Sequence, residues 1–138
     1  MAYHSQLSQD RWVNTILGGK RDGFFVELGA SDGVFMSNSL FFERELGWKG
    51  ICIEPDNGYF EKLKQNRRCF VSNDVAYEEP GVWVDFAFSD GLSGVIGALH
   101  PSARTNQVTR KMTNTLGNIL QQFDAPSVID YLSLDVEG

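Results

Sequence analysis

Two acidic residues and two glycines follow an apolar run near the start of the chain, in the stretch GFFVELGASDGVF (residues 23–35). The spacing is E-x-G-x-x-x-G, from Glu27 through Gly29 to Gly33, with Asp32 beside the second glycine. A turn that binds pyrophosphate has the spacing G-x-G-x-x-G and presents no carboxylate to the phosphates. The acids here would repel pyrophosphate but attract an ammonium or a sulfonium group. The glycines alone would also be explained by a tight turn between a strand and a helix.

Two further apolar runs lead into polar residues. KGICIEPD (49–56) carries Glu54 near its end, and RCFVSNDVAY (68–77) contains Asn73 and Asp74. In an open α/β sheet, ligands bind beyond the carboxyl ends of the strands. An acid at the position of Glu54 can accept two hydrogen bonds from a ribose diol, and Asn73 or Asp74 would lie near an adenine amino group. The three strand ends together predict a nucleoside with a cationic amino-acid tail, S-adenosylmethionine.

Each of these residues also has a structural explanation. Glu27 could cap the amides of its turn, and Asp32 could be favoured by the dipole at a helix N-terminus. Asn73 and Asp74 could simply turn the chain. Glu54 is the strongest candidate, because an acid that closes a buried strand is costly unless it has a partner.

Strands and helices alternate about every 25 residues, which is the pattern of an α/β fold with a mostly parallel sheet and crossover helices. Strands are predicted over 23–29, 49–56, 68–77, 81–91 and 128–138, and helices over 7–19, 37–48, 56–66 and 114–126. The first two strands are continuous apolar runs, which predicts burial on both faces. The strand over 81–91 alternates in character and is predicted to be half-exposed. Residues 89–113 are predicted to be mostly irregular.

Local signals mark the ends of the helices. Ser8 is predicted to cap the first helix, Gly47 to end the second and Asp56 to cap the third, and either Asn114 or Thr115 would cap the fourth. The first helix is expected to bury one face, formed by Trp12, Val13, Ile16 and Leu17.

The composition limits the class of protein. The 138 residues suffice for one domain, and the net charge of −6 argues against a nucleic-acid or anionic-membrane partner. The two cysteines, Cys52 and Cys69, form no CxxC pattern, so neither a disulfide scaffold nor a zinc site is predicted. The chain opens with no leader pattern and has no apolar run near the roughly 18 residues of a membrane span, so a cytoplasmic location is expected.

The stretches FFVELGASDGVFMSNSLFFERELGWKGICIEPD (24–56) and IDYLSLDVEG (129–138) resemble the FkbM family of class I S-adenosylmethionine-dependent methyltransferases. The resemblance implies a Rossmann-like fold with strand order 3-2-1-4 in the part present. It also implies methyl transfer, most often to a hydroxyl oxygen of a sugar or another small molecule. Family members continue past the fourth strand. Residues 1–138 are therefore expected to be a single cofactor-binding domain that is incomplete at its C-terminus.

The resemblance also implies roles for individual residues. Asp135 and Glu137, at the end of the last strand, would lie near the transferring methyl group and position the acceptor, act as a base or help hold a divalent cation. The sequence leaves the cation open and assigns no metal ligand. The predicted cofactor-binding residues are Glu27, Gly29, Ala30, Asp32, Gly33, Glu54, Asn73 and Asp74.

Other motif positions carry weaker assignments. Gln6 and Asp10 match the family's leading motif, although a helix start needs no function there. Ser93 and Gly94, in the GLSG segment, are assigned to the acceptor side.

Two other functions compete with methyl transfer to a small-molecule hydroxyl acceptor. One is a non-catalytic cofactor-binding or interaction module, and the other is a nicotinamide-dependent oxidoreductase, which the missing G-x-G-x-x-G disfavours. The strand Val128–Val136 is expected to have an open outer edge, through which the chain would self-associate.

Overall fold

A four-stranded parallel sheet forms the centre of the computed structural model, which describes residues 3–88, 94–95 and 107–134. Its strands are β1 (Phe24–Leu28), β2 (Lys49–Ile53), β3 (Phe70–Ser72) and β8 (Tyr131–Leu134). They lie in the order β3-β2-β1-β8, and every neighbouring pair is parallel. The predicted Rossmann-like α/β fold and strand order 3-2-1-4 are therefore confirmed, with β8 as the fourth strand.

The strand register brings the carboxyl ends of β1 and its two neighbours to one edge of the sheet. Glu27 in β1 pairs with Cys52 of β2 and with Ser133 of β8. Leu28, the last residue of β1, pairs with the last residues of the same two strands, Ile53 and Leu134. The segments that leave these strands consequently begin side by side, and this edge holds the predicted site.

β1 is buried along its whole length and β2 from Gly50 to Ile53, as their continuous apolar runs predict. The helices are α1 (Gln9–Ile16), α2 (Leu40–Leu46), α3 (Asn57–Asn66) and α4 (Leu116–Gln122). One face of the sheet packs in a cluster with α2 and α3 that includes Phe25, Phe41, Phe42, Cys52 and Leu63. The opposite face packs in a second cluster with Ile119 of α4 and includes Phe24, Val26, Leu28, Ile51 and Ile53. Glu27 follows Phe25 by two positions and so lies on the face of α2 and α3.

Three helix signals are confirmed. Gly47 ends α2 in the left-handed conformation, with φ of 68°. The Asp56 side chain accepts the N–H of Tyr59 at the start of α3. Thr115, rather than Asn114, caps α4 by accepting the N–H of Asn118.

Two predictions for α1 are wrong. Ser8 has a left-handed backbone with φ of 62° and makes no capping bond with its side chain. The predicted apolar face is not buried as a unit, because Trp12 is 66% exposed and Ile16 is 64% exposed, whereas Val13 is buried. Asp10 is fully buried, and Val13 is buried beside it. The buried side of α1 thus includes an acidic residue, which a pattern of apolar residues alone does not reveal.

A second sheet was not predicted from the sequence. It contains β4 (Val75–Ala76), β5 (Trp83–Phe88), β6 (Gly94–Val95) and β7 (Gln107–Asn114), in the order β4-β7-β5-β6. The predicted third strand is therefore divided, with β3 in the first sheet and β4 in the second. The prediction that residues 89–113 are mostly irregular is wrong for β6 and for β7, which both pair with β5 in antiparallel fashion, β7 through residues 107–112. Polar and charged residues make up most of β7, whose sequence is QVTRKMTN, so no apolar run marks it as a strand.

The predicted alternation of inward and exposed side chains within 81–91 is present over 82–86, where burial is described. Val84 and Phe86 are turned inward, whereas Trp83 and Asp85 are exposed. None of the helices in the described part of the chain is long and apolar enough to cross a membrane.

Candidate functional site

The turn that follows β1 has three left-handed residues within five positions. Gly29 has φ of 78°, Ser31 of 53° and Gly33 of 83°. The N–H groups of Gly29 and Ala30 both donate to the carbonyl of Ile53, at 2.9 and 3.2 Å. The turn is thus held against the end of β2 and lies at the edge where a ligand is expected.

Gly33 is required for packing. A β-carbon at this position would lie 2.7 Å from Leu63 Cδ1 and 2.7 Å from Arg67 Cγ, and the positive φ adds backbone strain for any other residue. Its carbonyl accepts a hydrogen bond from Arg67 Nη1 at 3.1 Å. The predicted contact of Gly33 with a cofactor stays a prediction, since this packing explains the glycine.

Glu27 is 2% exposed, and its carboxylate binds the segment that leads into α2. Oε1 accepts from the hydroxyls of Ser37 and Ser39, at 3.2 and 2.5 Å, and from the N–H of Ser39 at 3.2 Å. Oε2 accepts from the N–H of Asn38 at 3.1 Å. Burial raises the pKa of Glu27, and these hydrogen bonds and the charge of Arg67 oppose that rise. Glu27 therefore binds backbone amides, as the structural alternative supposed, but these belong to Asn38 and Ser39 before α2 and not to the turn after β1. Direct binding of a ligand by Glu27 stays a prediction.

Arg67 completes this buried cluster, and sequence reasoning missed it. Its side chain has no exposed surface and donates from Nη1 to Ser37 Oγ at 3.2 Å, from Nη2 to Ser39 Oγ at 3.0 Å and from Nε to Glu43 Oε2 at 3.0 Å. The hydroxyls of Ser37 and Ser39 therefore bond to both the guanidinium of Arg67 and the carboxylate of Glu27. In the sequence, Arg67 stands beside Arg68 at the end of a helix, and the one signal for the buried arginine is that it follows the inward-facing Leu63 by four positions.

Glu54 lies at the end of β2 and is 5% exposed. Oε1 accepts the N–H of Ser31, from the turn after β1, at 2.7 Å, and Oε2 accepts the N–H of Asp56 at 2.8 Å. Burial raises the pKa of Glu54 to about 7, although both N–H groups and the charge of Lys111 oppose the rise. The carboxylate thus joins the ends of β1 and β2 and is held in one orientation by two backbone bonds.

The residues after β3 turn towards Glu54. Asn73 Nδ2 donates to the carbonyl of Glu54 at 3.0 Å and to that of Pro55 at 3.2 Å. Asp74 Oδ2 accepts from Ser72 Oγ at 2.9 Å, and the N–H of Asp74 donates to the same hydroxyl. The structure brings Asn73 to the end of β2, as the prediction requires, and leaves Asp74 in a local turn.

Lys111 is a second residue that sequence reasoning missed. It comes from β7, in the other sheet, and Nζ donates to the carbonyls of Pro55 and Asn73 at 2.7 and 2.9 Å and to Asn57 Oδ1 at 3.0 Å. The one signal for it in the sequence is the alternation of a strand. Lys111 lies two positions from both Thr109 and Thr113 and so points to the same inward side of β7.

Asp32 has a structural role in the first turn. Its Oδ1 accepts the N–H groups of Val34 and Phe35, both at 2.9 Å, and its carbonyl accepts from Asn66 Nδ2. Asp32 does not lie at the start of a helix, as its structural alternative supposed, because Val34 and Phe35 form a loop that precedes α2. Its contact with a cofactor stays a prediction.

The two residues of the N-terminal motif, Gln6 and Asp10, differ in burial. Gln6 is exposed. Asp10 is fully buried, and its carboxylate accepts the N–H groups of His4 at 2.7 Å, Ser5 at 3.1 Å and Arg11 at 2.8 Å. Asp10 therefore orders the entry into α1, which explains its burial without a ligand.

Three predicted residues, Asp135, Glu137 and Ser93, lie outside the residues that the structure describes, and of Gly94 only its place in β6 is described. Beside the end of β1, Ser133 Oγ accepts from Asn38 Nδ2 at 2.8 Å in a buried pair. Across residues 3–88, 94–95 and 107–134, no group of three or more His, Cys, Asp or Glu side chains is placed to hold a metal ion.

A parallel sheet in this order, with a glycine turn after β1 and a buried acid at the end of β2, defines a Rossmann-like protein of the methyltransferase type. A family model described as Methyltransferase FkbM domain matches residues 27–138. The match spans most of the chain, which therefore belongs to the FkbM family of methyltransferases. Comparisons with curated proteins and with solved structures gave no significant match.

Proposed function

We propose that this chain binds S-adenosylmethionine at the carboxyl ends of β1, β2 and β3 and transfers its methyl group to a hydroxyl oxygen of a sugar or another small molecule. Membership of the FkbM family supports methyl transfer in general. The observation that carries the choice of cofactor is the buried carboxylate of Glu54, which is held at the end of β2 by the N–H groups of Ser31 and Asp56.

Glu54 offers the hydrogen-bond acceptors that the two hydroxyls of a ribose need. An ionised carboxylate offers about four lone-pair sites, and each oxygen of Glu54 uses one for a backbone N–H. A second lone pair on each oxygen suits one hydroxyl of a vicinal diol. Because the side chain is already fixed, little rotamer entropy remains to be lost on binding.

Asn73 supports the assignment of the base. Its amide nitrogen donates to two main-chain carbonyls, which fixes the orientation of the side chain. The amide oxygen is the part of the side chain that would accept from an adenine amino group. A base bound here would lie next to the ribose that Glu54 binds, which is the order of groups within a nucleoside.

The turn after β1 would hold the charged end of the cofactor. Gly29, with φ of 78° and no side chain, permits a ligand to approach the backbone closely. The cofactor supplies a methyl group that its sulfonium charge already activates. The chain's own task is therefore to hold the acceptor oxygen in line with the methyl carbon and the sulfur, at about 3–3.5 Å from that carbon.

For the acceptor we propose that Asp135 orients or deprotonates the hydroxyl group. An aspartate of ordinary pKa is a poor base for a sugar hydroxyl, so positioning is its main role unless burial or a cation changes that pKa. We also propose a reducing, cytoplasmic location. It suits the free thiols of Cys52 and Cys69, whose sulfur atoms lie 3.7 Å apart.

Calorimetry with S-adenosylhomocysteine and with NAD tests the cofactor. The parent chain should bind the first and not the second. Glu54→Ala should weaken binding of S-adenosylhomocysteine by about 1.5–3 kcal/mol, the value of hydrogen bonds to a charged group. The matched control is Glu45→Ala, since Glu45 is exposed on α2 and should leave the affinity unchanged. Equal affinity in the Glu54 variant and the parent would refute the ribose assignment.

Turnover separates the enzyme from a non-catalytic module. Radiolabelled methyl groups should pass from the cofactor to at least one member of a panel of sugars and small alcohols. Binding of S-adenosylhomocysteine without transfer to any member would favour the binding module instead.

A further inference from the structure

Lys111 joins the second sheet to the ends of two strands of the first. Its ammonium carries three protons, and the three acceptors within 3.0 Å of Nζ are the carbonyls of Pro55 and Asn73 and the side-chain oxygen of Asn57. Pro55 follows Glu54 at the end of β2, Asn57 begins α3, and Asn73 follows β3. One side chain from β7 therefore ties together the segments that carry both predicted nucleoside-binding residues.

Asn73 is hydrogen-bonded to both Pro55 and Lys111. The carbonyl of Pro55 accepts from both Lys111 Nζ and Asn73 Nδ2, while the carbonyl of Asn73 accepts from the same ammonium. The backbone after Glu54 and the side chain of Asn73 are thus held at a fixed separation. Removing the ammonium would take one donor from each of these two carbonyls.

The same ammonium faces three carboxyl groups. Burial lowers the pKa of Lys111, and the charges of Asp74, Glu54 and Asp56 oppose that change. In return, Lys111 lowers the pKa of Glu54, which burial and the neighbouring charge of Asp56 raise. The charge state of Glu54 near neutral pH consequently depends on a residue of the other sheet.

We propose that Lys111 is a positioning residue for the cofactor site, which holds the Glu54–Asn57 segment and Asn73 in the arrangement that receives the nucleoside. The proposal rests on the proposed function. Lys111 itself needs no contact with the cofactor, because its three donors are already used within the protein.

The test compares Lys111→Met with Arg110→Met. Methionine keeps an unbranched side chain, one heavy atom shorter than that of lysine, and removes the three donors and the charge. Arg110 is the adjacent cation on the opposite face of β7, its side chain is 71% exposed, and its nearest ion-pair partner is Asp85 at 3.9 Å. Both variants lose one positive charge from the same strand, so they differ in the contacts at the site.

Calorimetry with S-adenosylhomocysteine from pH 6 to 8.5 should show about a tenfold to hundredfold weaker affinity for Lys111→Met. The pH at which affinity rises should also move upwards, because Glu54 would ionise less readily. Arg110→Met should match the parent in both respects. Parent-like affinity and an unchanged pH profile in Lys111→Met would overturn the proposal and leave the proposed function intact.

A second measurement does not need a ligand. A carbon-13 NMR titration of the Glu54 carboxyl should show a higher pKa in Lys111→Met than in the parent, and an equal pKa would overturn the link between the two residues. If the parent fails to bind S-adenosylhomocysteine, the proposed function fails, while this titration still tests Lys111.

If Lys111→Met does not fold, Lys111→Arg replaces it. Arginine keeps the charge, but its planar guanidinium cannot reproduce the three contacts of a compact ammonium. Weaker affinity with a parent-like pH profile would support positioning. Parent-like affinity would overturn it.

Discussion

Arg67 and Glu43 form a salt bridge in which Nε and Oε2 lie 3.0 Å apart, with no exposed surface on the arginine side chain and 13% on that of the glutamate. Glu43 uses its other carboxylate oxygen to accept the N–H of Cys69. The pair therefore connects α2, the end of α3 and the start of β3, close to the buried Glu27. Loss of this salt bridge should therefore lower the stability of the whole parallel sheet.

We expect Arg67→Met to lower the free energy of unfolding by about 3–5 kcal/mol, because removal of one partner leaves a buried charge uncompensated. Urea unfolding measures this directly. Arg68→Met is the control, since Arg68 is the exposed neighbour and should change the stability by less than about 0.5 kcal/mol. Similar losses in the two variants would contradict the role given to the buried cluster.

Glu54 should make the stability depend on pH. Its pKa in the folded chain, about 7, lies above the ordinary value of 4.5, so the folded state binds the proton more tightly than the unfolded state. Its contribution is therefore complete at low pH, declines as the pH rises from about 4.5 to 7, and is constant above that range, for a total of roughly 3 kcal/mol.

Urea unfolding of the parent and of Glu54→Gln across pH 4–8 measures this dependence. The difference in unfolding free energy between the two should vary with pH in that window, because glutamine does not titrate. Parallel curves for the two proteins would show that Glu54 titrates normally.

Asp135→Asn tests the proposed acceptor site. The change keeps the size of the side chain and removes its charge, so turnover in a form of the protein that transfers methyl groups should fall by about 10²- to 10⁴-fold. The dissociation constant for S-adenosylhomocysteine should stay near that of the parent. Turnover at the parent rate would leave Asp135 no catalytic role, and loss of cofactor binding would move it to the cofactor site.

Self-association through β8 remains a prediction. In the described sheet β8 is an edge strand next to β1, and Leu132 and Leu134 are 48% and 62% exposed. An apolar edge strand can pair with another chain. Light scattering should show association that Leu132→Glu reduces, whereas Leu7→Glu, at an exposed leucine outside the sheet, should not. A parent chain that stays monomeric at high concentration would contradict this.

Local signals were sufficient to predict a parallel sheet with crossover helices, although they gave the wrong cap and the wrong buried face for α1. The apolar run of β1, the glycine that ends α2 and the aspartate that caps α3 each act within a few residues, so their consequences can be predicted from neighbours along the chain. The acids at the strand ends could be placed near one another for a similar reason. Parallel strands linked by helices bring all of their carboxyl ends to one edge of the sheet.

Contacts between distant segments were decided only by the tertiary structure. Arg67 and Arg68 are the same residue type side by side, and only packing against Phe25, Glu43 and the turn at Gly33 buries the first of them. Lys111 lies 38 to 56 positions from the groups it binds, in a strand without an apolar run. The hydrophobic pattern of a sequence records which surfaces leave water, but it does not record which distant polar group meets each buried charge.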